Sequence, residues 1–319
     1  MIKRIAIFTS GGDAPGMNAA VRVCIRAGLY YGKEMFVIYD GYRGLLNGDI
    51  HQVNKEFTAD IITRGGTILR SSRVPEFVEK EVQLKAIERL KDYDIDAIIG
   101  IGGDGTFRGL KALSDLGFPV IGIPATIDND VVSTDYTIGF MTALNTICEC
   151  IDKIKDTSSS HQRCSIIEVM GRHCGDLAMY SSIAEAAEMT LSFGHNTTEE
   201  QVIKKLRKLK AQKKSHAIVV VSENLIDCNK LAKDIEEATG FETRVEVLGR
   251  LQRGGSPCAF DRILASRLGL GAIETLIQDQ HGKIMNYVDG EVIATDIETS
   301  LTGSKDSHEI LGRMIDILQ

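Results

Sequence analysis

Residues 99–130 read IGIGGDGTFRGLKALSDLGFPVIGIPATIDND, two apolar runs that each end in a turn rich in glycine or aspartate. The first run, from 96 to 102, stops at Gly102-Gly103-Asp104-Gly105-Thr106. There a helical spacing of Phe107, Leu110, Leu113 and Leu116 takes over. The pattern predicts a strand, a tight turn and a helix. Such a turn aims backbone N–H groups and the positive end of the helix at whatever lies above the sheet, and its glycines let a bulky anion come close. Phosphate is the expected ligand, although a glycine cluster alone serves equally well as a plain turn. The second turn, Pro124-Ala125-Thr126-Ile127-Asp128-Asn129-Asp130, tips the balance. Two carboxylates two residues apart beyond a buried strand have no packing role. In an open α/β sheet both turns lie at the carboxyl ends of their strands, where ligands bind. Asp104, with Asp130 as a second candidate, suits magnesium, which takes one or two carboxylates plus phosphate oxygens and water. Asp128 is then the candidate base that accepts the proton of an attacking hydroxyl in phosphoryl transfer.

The chain has 319 residues, 43% hydrophobic and 25% charged, enough for one large or two moderate domains, and two lobes are the preferred reading. A formal net charge of −7 argues against a nucleic-acid partner, whose footprint is a basic domain. No apolar run approaches the roughly 18 to 20 residues that cross a bilayer, and the apolar part of MIKRIAIFTS is too short for a signal peptide. The expectation is a cytoplasmic protein with no membrane partner. Seven scattered cysteines fit reduced thiols better than a disulfide framework. Cys148 and Cys150, two apart on a predicted helix, point away from each other and are expected as buried small hydrophobes. The seven histidines show no metal-ligand spacing.

Outward from this stretch, a strand over 4–9 ends in Ser10-Gly11-Gly12-Asp13-Ala14-Pro15-Gly16-Met17-Asn18, a second phosphate-type turn before a helix that carries Arg22 and Arg26 on one face. A strand over 34–39 leads to a predicted loop, Asp40 to Gly44, whose Tyr42 either stacks on a base or packs. An arginine-rich loop follows, with Arg73 as a phosphate clamp, and Pro75 ends it before a helix over 76–91. A helix is predicted over 138–156, broken by residues 156–161, and a strand over 165–169 leads into Met170-Gly171-Arg172-His173-Cys174-Gly175-Asp176. Arginine at such a strand end suits the planar grip on phosphoryl oxygens. A basic helix over 199–214 reads as a solvated face. A buried strand over 215–222 ends at Glu223, which either accepts sugar hydroxyls or caps the next element. A helix over 227–238 and a strand over 242–248 follow. Arg244, Arg250 and Arg253 then surround a glycine turn and mark a second anion site. A helix over 261–278, a strand over 291–295 and a helix over 306–318 complete the chain.

With these residues in view, the chain resembles the bacterial ATP-dependent 6-phosphofructokinases over nearly its full length. The resemblance is carried by SGGDAPGMN (10–18), GGDGT (102–106), PATIDND (124–130), SSSHQR (158–163), MGRHCGD (170–176) and LGRLQRGGSP (248–257). It implies an α/β fold of two similar lobes, each a mostly parallel sheet flanked by helices, with the active site in the cleft between them. Residues 1–138 plus 252–304 would form a nucleotide-binding lobe and 139–251 plus 305–319 a sugar-phosphate-binding lobe. The implied reaction moves the γ-phosphoryl of ATP to the 1-hydroxyl of fructose 6-phosphate, giving fructose 1,6-bisphosphate and ADP in glycolysis. By resemblance, Asp128 is the base and Asp104 positions Mg2+, while Arg172 and Thr126 stabilise the transferred group. Gly12, Arg73, Val74, Gly103, Asp104, Gly105 and Thr106 would bind ATP. The sugar phosphate would be held by Thr126, Ile127, Asp128, Met170, Gly171, Arg172, Glu223, Arg250, Leu251, Gln252 and Arg253, with Arg163 and Arg244 reaching in from a neighbouring subunit of a homotetramer.

Three departures from the family's pattern stand out. Ala125 replaces a usual glycine, but Gly105 and Ala125 still match ATP users rather than pyrophosphate users, which carry aspartate and lysine there. Arg250 replaces a common histidine and adds a permanent charge. At the effector site, where ADP or phosphoenolpyruvate binds family members, Arg22, Arg26, Lys55, Lys155 and Lys214 are present. Gln212 stands where a cation is common, Glu185-Ala186 replaces Gly-Gly ahead of Glu188, and Leu191-Ser192-Phe193-Gly194 replaces an apolar-Pro-Glu segment. A weakened or altered effector response is expected. A pyrophosphate-dependent relative and a non-catalytic nucleotide sensor are the alternatives, and tagatose 6-phosphate is a neighbouring substrate.

Overall fold

The structure, a computed structural model, describes residues 2–302 and 307–319. In chain order the first elements are β1 (Arg4–Thr9), α1 (Met17–Tyr30), β2 (Glu34–Ile38), α2 (Gly41–Asn47), β3 (Ile50–Val53), α3 (Lys80–Asp92), β4 (Ala97–Gly102), α4 (Asp104–Asp115), β5 (Val120–Pro124) and α5 (Phe140–His161). They are followed by β6 (Cys164–Val169), α6 (Asp176–Ala184), β7 (Met189–Leu191), α7 (Glu199–Ala211), β8 (Ala217–Ser222), α8 (Cys228–Thr239), β9 (Thr243–Val247), α9 (Ala259–Ile277), β10 (Lys283–Val288), β11 (Glu291–Asp296), α10 (Ile297–Leu301) and α11 (Ser307–Leu318). Two compact units result, Met1–Thr142 with Arg253–Lys305 and Ala143–Gln252 with Asp306–Gln319. The expected division at 304–305 and the start of the last helix at Asp306 fall outside the described residues.

The first unit holds a seven-stranded sheet ordered β11-β10-β5-β4-β1-β2-β3. Its centre is parallel, and β3 and β11 run antiparallel at the edges. Strand β4 is buried along its whole length, as a central parallel strand covered on both faces must be. Its register sets Ile99 between Ile7 of β1 and Ile121 of β5, and Gly102 opposite Pro124, so the two turns quoted above leave neighbouring strands side by side. Phe107, Leu110 and Leu113 of α4 bury the expected helical stripe in a core shared with Phe8, Ile98 and Val120. Asp261 of α9, fully buried, accepts hydrogen bonds from the backbone N–H groups of Gly139 and Thr142 at 3.0 and 2.8 Å and from the Thr142 hydroxyl at 2.5 Å. Burial pushes its carboxyl above the usual range, and these bonds offset part of that rise.

The second unit holds a parallel four-stranded sheet ordered β7-β8-β6-β9. Ile166, Val219 and Val221 of its central strands pack with Val202 and Leu206 of α7 and with Leu231 and Ile235 of α8. Most of the remaining residues of α7 are charged, Ile203 and Leu209 pack at the edge of the core, and Thr198 starts that helix with a capping box closed by Gln201.

Several local expectations are corrected. The predicted loop after Asp40 is α2, a short helix entered from Asp40 in a left-handed conformation; two glycines in seven residues hid it. Tyr42 packs rather than waiting for a base. It is buried against Phe8 and Phe77, and its hydroxyl donates to the Thr106 carbonyl at 2.6 Å. Pro75 opens a 3-10 turn over Pro75–Val78, and the α-helix starts only at Lys80. The serines at 158–160 do not break α5, which runs to His161; Ser158 turns inward to the Ser165 hydroxyl at 2.6 Å, and Ser160 bonds back to the Asp156 carbonyl one turn earlier. Cys148 and Cys150 are half-buried rather than core residues. Strands β3, β7 and β10 and helices α6 and α10 lacked a decisive pattern in the sequence.

Candidate active site

In the first unit, β4 and β5 deliver two turns to the same edge of the sheet. Gly103 lies against Thr126, within ordinary contact distance for a side chain at that glycine. Asp104 is the first residue of α4. Its half-exposed carboxylate accepts a bond from Arg108 one helical turn later, at 2.9 Å. Among the described residues nothing stands within 4 Å of a side chain placed at Gly105 and the buried hydroxyl of Thr106 finds no partner, which leaves a donor beside Gly11 for an oxygen-rich ligand. A hard oxygen donor beside a phosphate-type turn fits Mg2+, which completes its shell with phosphate oxygens and water.

The loop carrying Asp128 is tied down at several points. Asp128 is 7% exposed, and its backbone N–H donates to the Thr126 hydroxyl at 3.2 Å. Asn129 adopts a left-handed backbone, a conformation asparagine tolerates better than most residues. Its side chain then accepts the Thr137 N–H at 2.9 Å and donates to the Asp135 carbonyl at 3.1 Å. The Thr137 hydroxyl reaches the Thr126 carbonyl at 2.6 Å. These ties hold the backbone on both sides of Asp128, and Ile127 beside it is buried. Ala125 is also buried and donates its N–H to the Gly102 carbonyl, so its methyl sits in the wall joining the two turns.

Gly11, Gly12, Asp13, Thr67, Ser71, Arg73 and Arg253 line an open cavity of about 320 Å3 at the end of β1. The guanidinium of Arg253 lies directly over Gly12, where a side chain at 12 would overlap it, and faces Asp13 at 3.5 Å. Arg253, read as a sugar-phosphate ligand, thus lies among residues read as nucleotide ligands. Val74, half-buried, packs on the unit's core and leads the Pro75 turn.

In the second unit the loop after β6 is built around Glu223. Its Oε1 accepts the backbone N–H groups of Gly171 and Arg172 at 3.2 and 3.0 Å. Gly171 has φ +135°, and a Cβ there would meet the Cys174 carbonyl oxygen at 2.6 Å, so this turn requires glycine. Arg172 itself is left-handed, at φ +53°. Gln252 is fully buried: its carbonyl accepts the Met170 N–H at 3.1 Å and its amide donates to the Gly249 carbonyl at 3.0 Å. It fastens two loops to each other, while Arg250 and Leu251 beside it are exposed. Arg163 and Arg244 converge on Glu242, and their charges hold its carboxyl below the usual range, the Arg163 hydrogen bond most of all. Arg244 therefore belongs with Arg163, not with the glycine turn whose three arginines the sequence grouped together.

The expected effector residues also pair locally. In the first unit Arg26 donates to the Thr58 hydroxyl at 2.8 Å, which bonds on to the Lys55 carbonyl at 2.6 Å. Burial, and then the charge of Arg26, lowers the pKa of Arg22. In the second unit Lys155 is held by Glu185 at 2.5 Å and Lys214 by Glu188, so two cations expected for an anion already carry protein carboxylates. Gln212 ends α7. Ala186 takes φ +48°, a conformation that glycine adopts without strain.

Sequence reasoning missed Asn129, Thr137 and Asp261, whose roles depend on partners up to 122 positions away. The Asn-Asp sequence at 129–130 was the available signal for the left-handed turn. It also found no metal-ligand spacing among the histidines, whereas the fold gathers Cys174, Asp176 and His308, with donor atoms within 4.8 Å of one another.

An α/β protein with phosphate-type turns at its strand ends and a carboxylate on a fixed loop beyond them defines a phosphoryl-transfer class of site. The family model for phosphofructokinase matches residues 4–276, and the chain belongs to that family. The chain is 51% identical over 305 residues to an ATP-dependent 6-phosphofructokinase of Vibrio cholerae, covering 96% of this chain and 95% of the relative. It is 51% identical over the same length and coverage to that of Photobacterium profundum. Among solved structures it resembles phosphofructokinase from Saccharomyces cerevisiae, with TM-score 0.87 and 30% identity over 99% of this chain; it spans about half of that longer chain, 48%.

Proposed function

We infer that this chain transfers the γ-phosphoryl of ATP to the 1-hydroxyl of fructose 6-phosphate, yielding fructose 1,6-bisphosphate and ADP in glycolysis. The observation that carries the reading is the pair of turns after β4 and β5, Gly103-Asp104 against Thr126 and the tied loop of Asp128. In the proposed reaction the Asp128 carboxylate takes the proton of the 1-hydroxyl as that oxygen bonds to the γ-phosphorus. The bond to the bridging oxygen breaks and ADP departs with the electron pair. Because the backbone around Asp128 is already fixed, little ordering is left for the moment of reaction.

Mg2+ held by Asp104 would neutralise charge on the polyphosphate. Gly12, Arg73, Val74 and residues 103–106 are proposed to bind the nucleotide. Arg172 with Thr126 is proposed to offset charge on the moving phosphoryl, Arg172 through the fork geometry of its guanidinium. Met170, Gly171, Glu223, Arg250 and Arg253 are proposed for the sugar phosphate, with Arg163 and Arg244 acting across subunits of a homotetramer. On this reading residues 1–138 and 252–304 form the nucleotide-binding lobe, with Arg253 as its contribution to the sugar phosphate, and 139–251 and 305–319 the sugar-phosphate-binding lobe. Seven cysteines scattered along the sequence, an odd number with no framework spacing, support a reducing, cytoplasmic setting. A coupled assay offering ATP or pyrophosphate against fructose 6-phosphate and tagatose 6-phosphate tests the reading. Turnover with ATP and fructose 6-phosphate is expected; turnover only with pyrophosphate, or none at all, contradicts it.

A further inference from the structure

In the second unit, Cys174, Asp176 and His308 bring a thiol, a carboxylate and an imidazole to one point, with all three donor atoms within 4.8 Å of one another. His308 Nε2 lies 2.9 Å from Asp176 Oδ1 and 4.0 Å from Cys174 Sγ. Asp176 is fully buried, Cys174 nearly so, and the His308 ring is about one-fifth exposed. We propose that these three side chains form a zinc-type metal site, separate from the magnesium carboxylate, that fastens the first turn of α11 to the loop carrying Met170, Gly171 and Arg172.

Donor chemistry selects the ion. A mixed sulfur, nitrogen and oxygen set suits a borderline-soft divalent ion such as Zn2+ or Co2+, whereas Mg2+ prefers oxygen alone. Metal–ligand bonds of about 2.0 to 2.3 Å bring tetrahedral donors to between about 3 and 4 Å apart, so the observed spacing closes around an ion by small side-chain rotations. On binding, the Cys174 thiol releases its proton to water and His308 presents the Nε2 lone pair with its proton on Nδ1. Three protein ligands leave the fourth position for water.

The surroundings are shaped for the ring. Gly194 has φ +79°, and a Cβ there would stand 2.4 Å from His308 Nδ1, so only glycine at 194 allows the imidazole to sit where it does. Gly194 and His308 both line an open cavity of about 590 Å3, which provides an entry path for the ion. The site is also mechanically connected to the catalytic loop, since the Cys174 N–H donates to the Gly171 carbonyl at 2.8 Å.

The test is a Co2+ titration of the full-length protein after treatment with a chelator, read by the thiolate-to-cobalt charge-transfer absorption. One equivalent per chain is expected to give the band. Cys174→Ser is expected to abolish it, His308→Gln to weaken binding by about tenfold or more, and Cys148→Ser to leave it unchanged. Thermal melting of each variant without metal separates loss of ligation from loss of fold. Absence of the band at saturating Co2+, its survival in Cys174→Ser with the fold intact, or its loss in Cys148→Ser would overturn the proposal.

Discussion

Glu223 Oε1 accepts the backbone N–H of Arg172 at 3.0 Å, which makes this carboxylate the post that holds an arginine in a left-handed conformation. The same oxygen takes the Gly171 N–H, so one side chain sets two consecutive peptide planes.

This arrangement separates two roles for Glu223. Glu223→Gln keeps an acceptor for both N–H groups, whereas Glu223→Ala leaves them without one. We expect Glu223→Ala to lower kcat by about 10- to 100-fold, consistent with about 1.4 to 2.7 kcal/mol of lost transition-state stabilisation, and Glu223→Gln to retain most of it. Steady-state kinetics on both variants checks this. A rise in KM for fructose 6-phosphate alone, equal in the two, would mean that Glu223 acts only as a sugar ligand.

Asp261 anchors the start of α5 through the Gly139 and Thr142 N–H groups and the Thr142 hydroxyl. Asp261→Ala strands buried donors, and we expect a loss of about 3 kcal/mol in denaturant unfolding. Burial raises the carboxyl pKa in the fold. The titration contribution of Asp261 to stability is therefore fully present below the unfolded carboxylate range and is lost as pH rises through the raised folded value. The stability difference between wild type and Asp261→Asn should narrow from mildly acidic to neutral pH.

Ala186, at φ +48° and exposed, holds a conformation that costs an L-residue about 1 to 2 kcal/mol. Ala186→Gly is expected to stabilise the protein by about 0.5 to 1 kcal/mol after the greater flexibility of glycine in the unfolded chain is subtracted. An unchanged or lowered unfolding midpoint would contradict this.

Lys155 and Lys214 are each paired with a carboxylate, so an anionic effector must displace Glu185 or Glu188 to use them. We expect weak ADP activation and weak phosphoenolpyruvate inhibition in the wild type, and about tenfold greater effector sensitivity in Glu185→Ala. Velocity at sub-saturating fructose 6-phosphate measures both. Strong effector responses in the wild type would show that the pairs open at little cost.

The central strands, the helix after each turn and the positions of Asp104 and Asp128 were legible because they follow from local patterns: apolar runs, glycine turns and helical spacing within one stretch. What escaped was long-range or short. Strand β7 has three residues, too few for a period, and β10 is recognisable only once β11 pairs with it across a two-residue turn. The sequence leaves Tyr42 between stacking on a base and packing, and only its contact with Phe77, 35 positions on, decides for packing. Arg253 and Arg250 stand three residues apart in sequence, yet Arg253 is positioned by Gly12 and Asp13, a relationship that no spacing encodes. His308 joins Cys174 and Asp176 for the same reason.

The central claim is that Asp128 removes the proton of the attacking hydroxyl. Its most direct test is the steady-state kinetics of Asp128→Ser with ATP and fructose 6-phosphate. A base acting in the transition state predicts a fall in kcat of about 100- to 10,000-fold with both KM values changed by no more than about threefold. Turnover within a few-fold of wild type, or a loss confined to KM, would contradict the account.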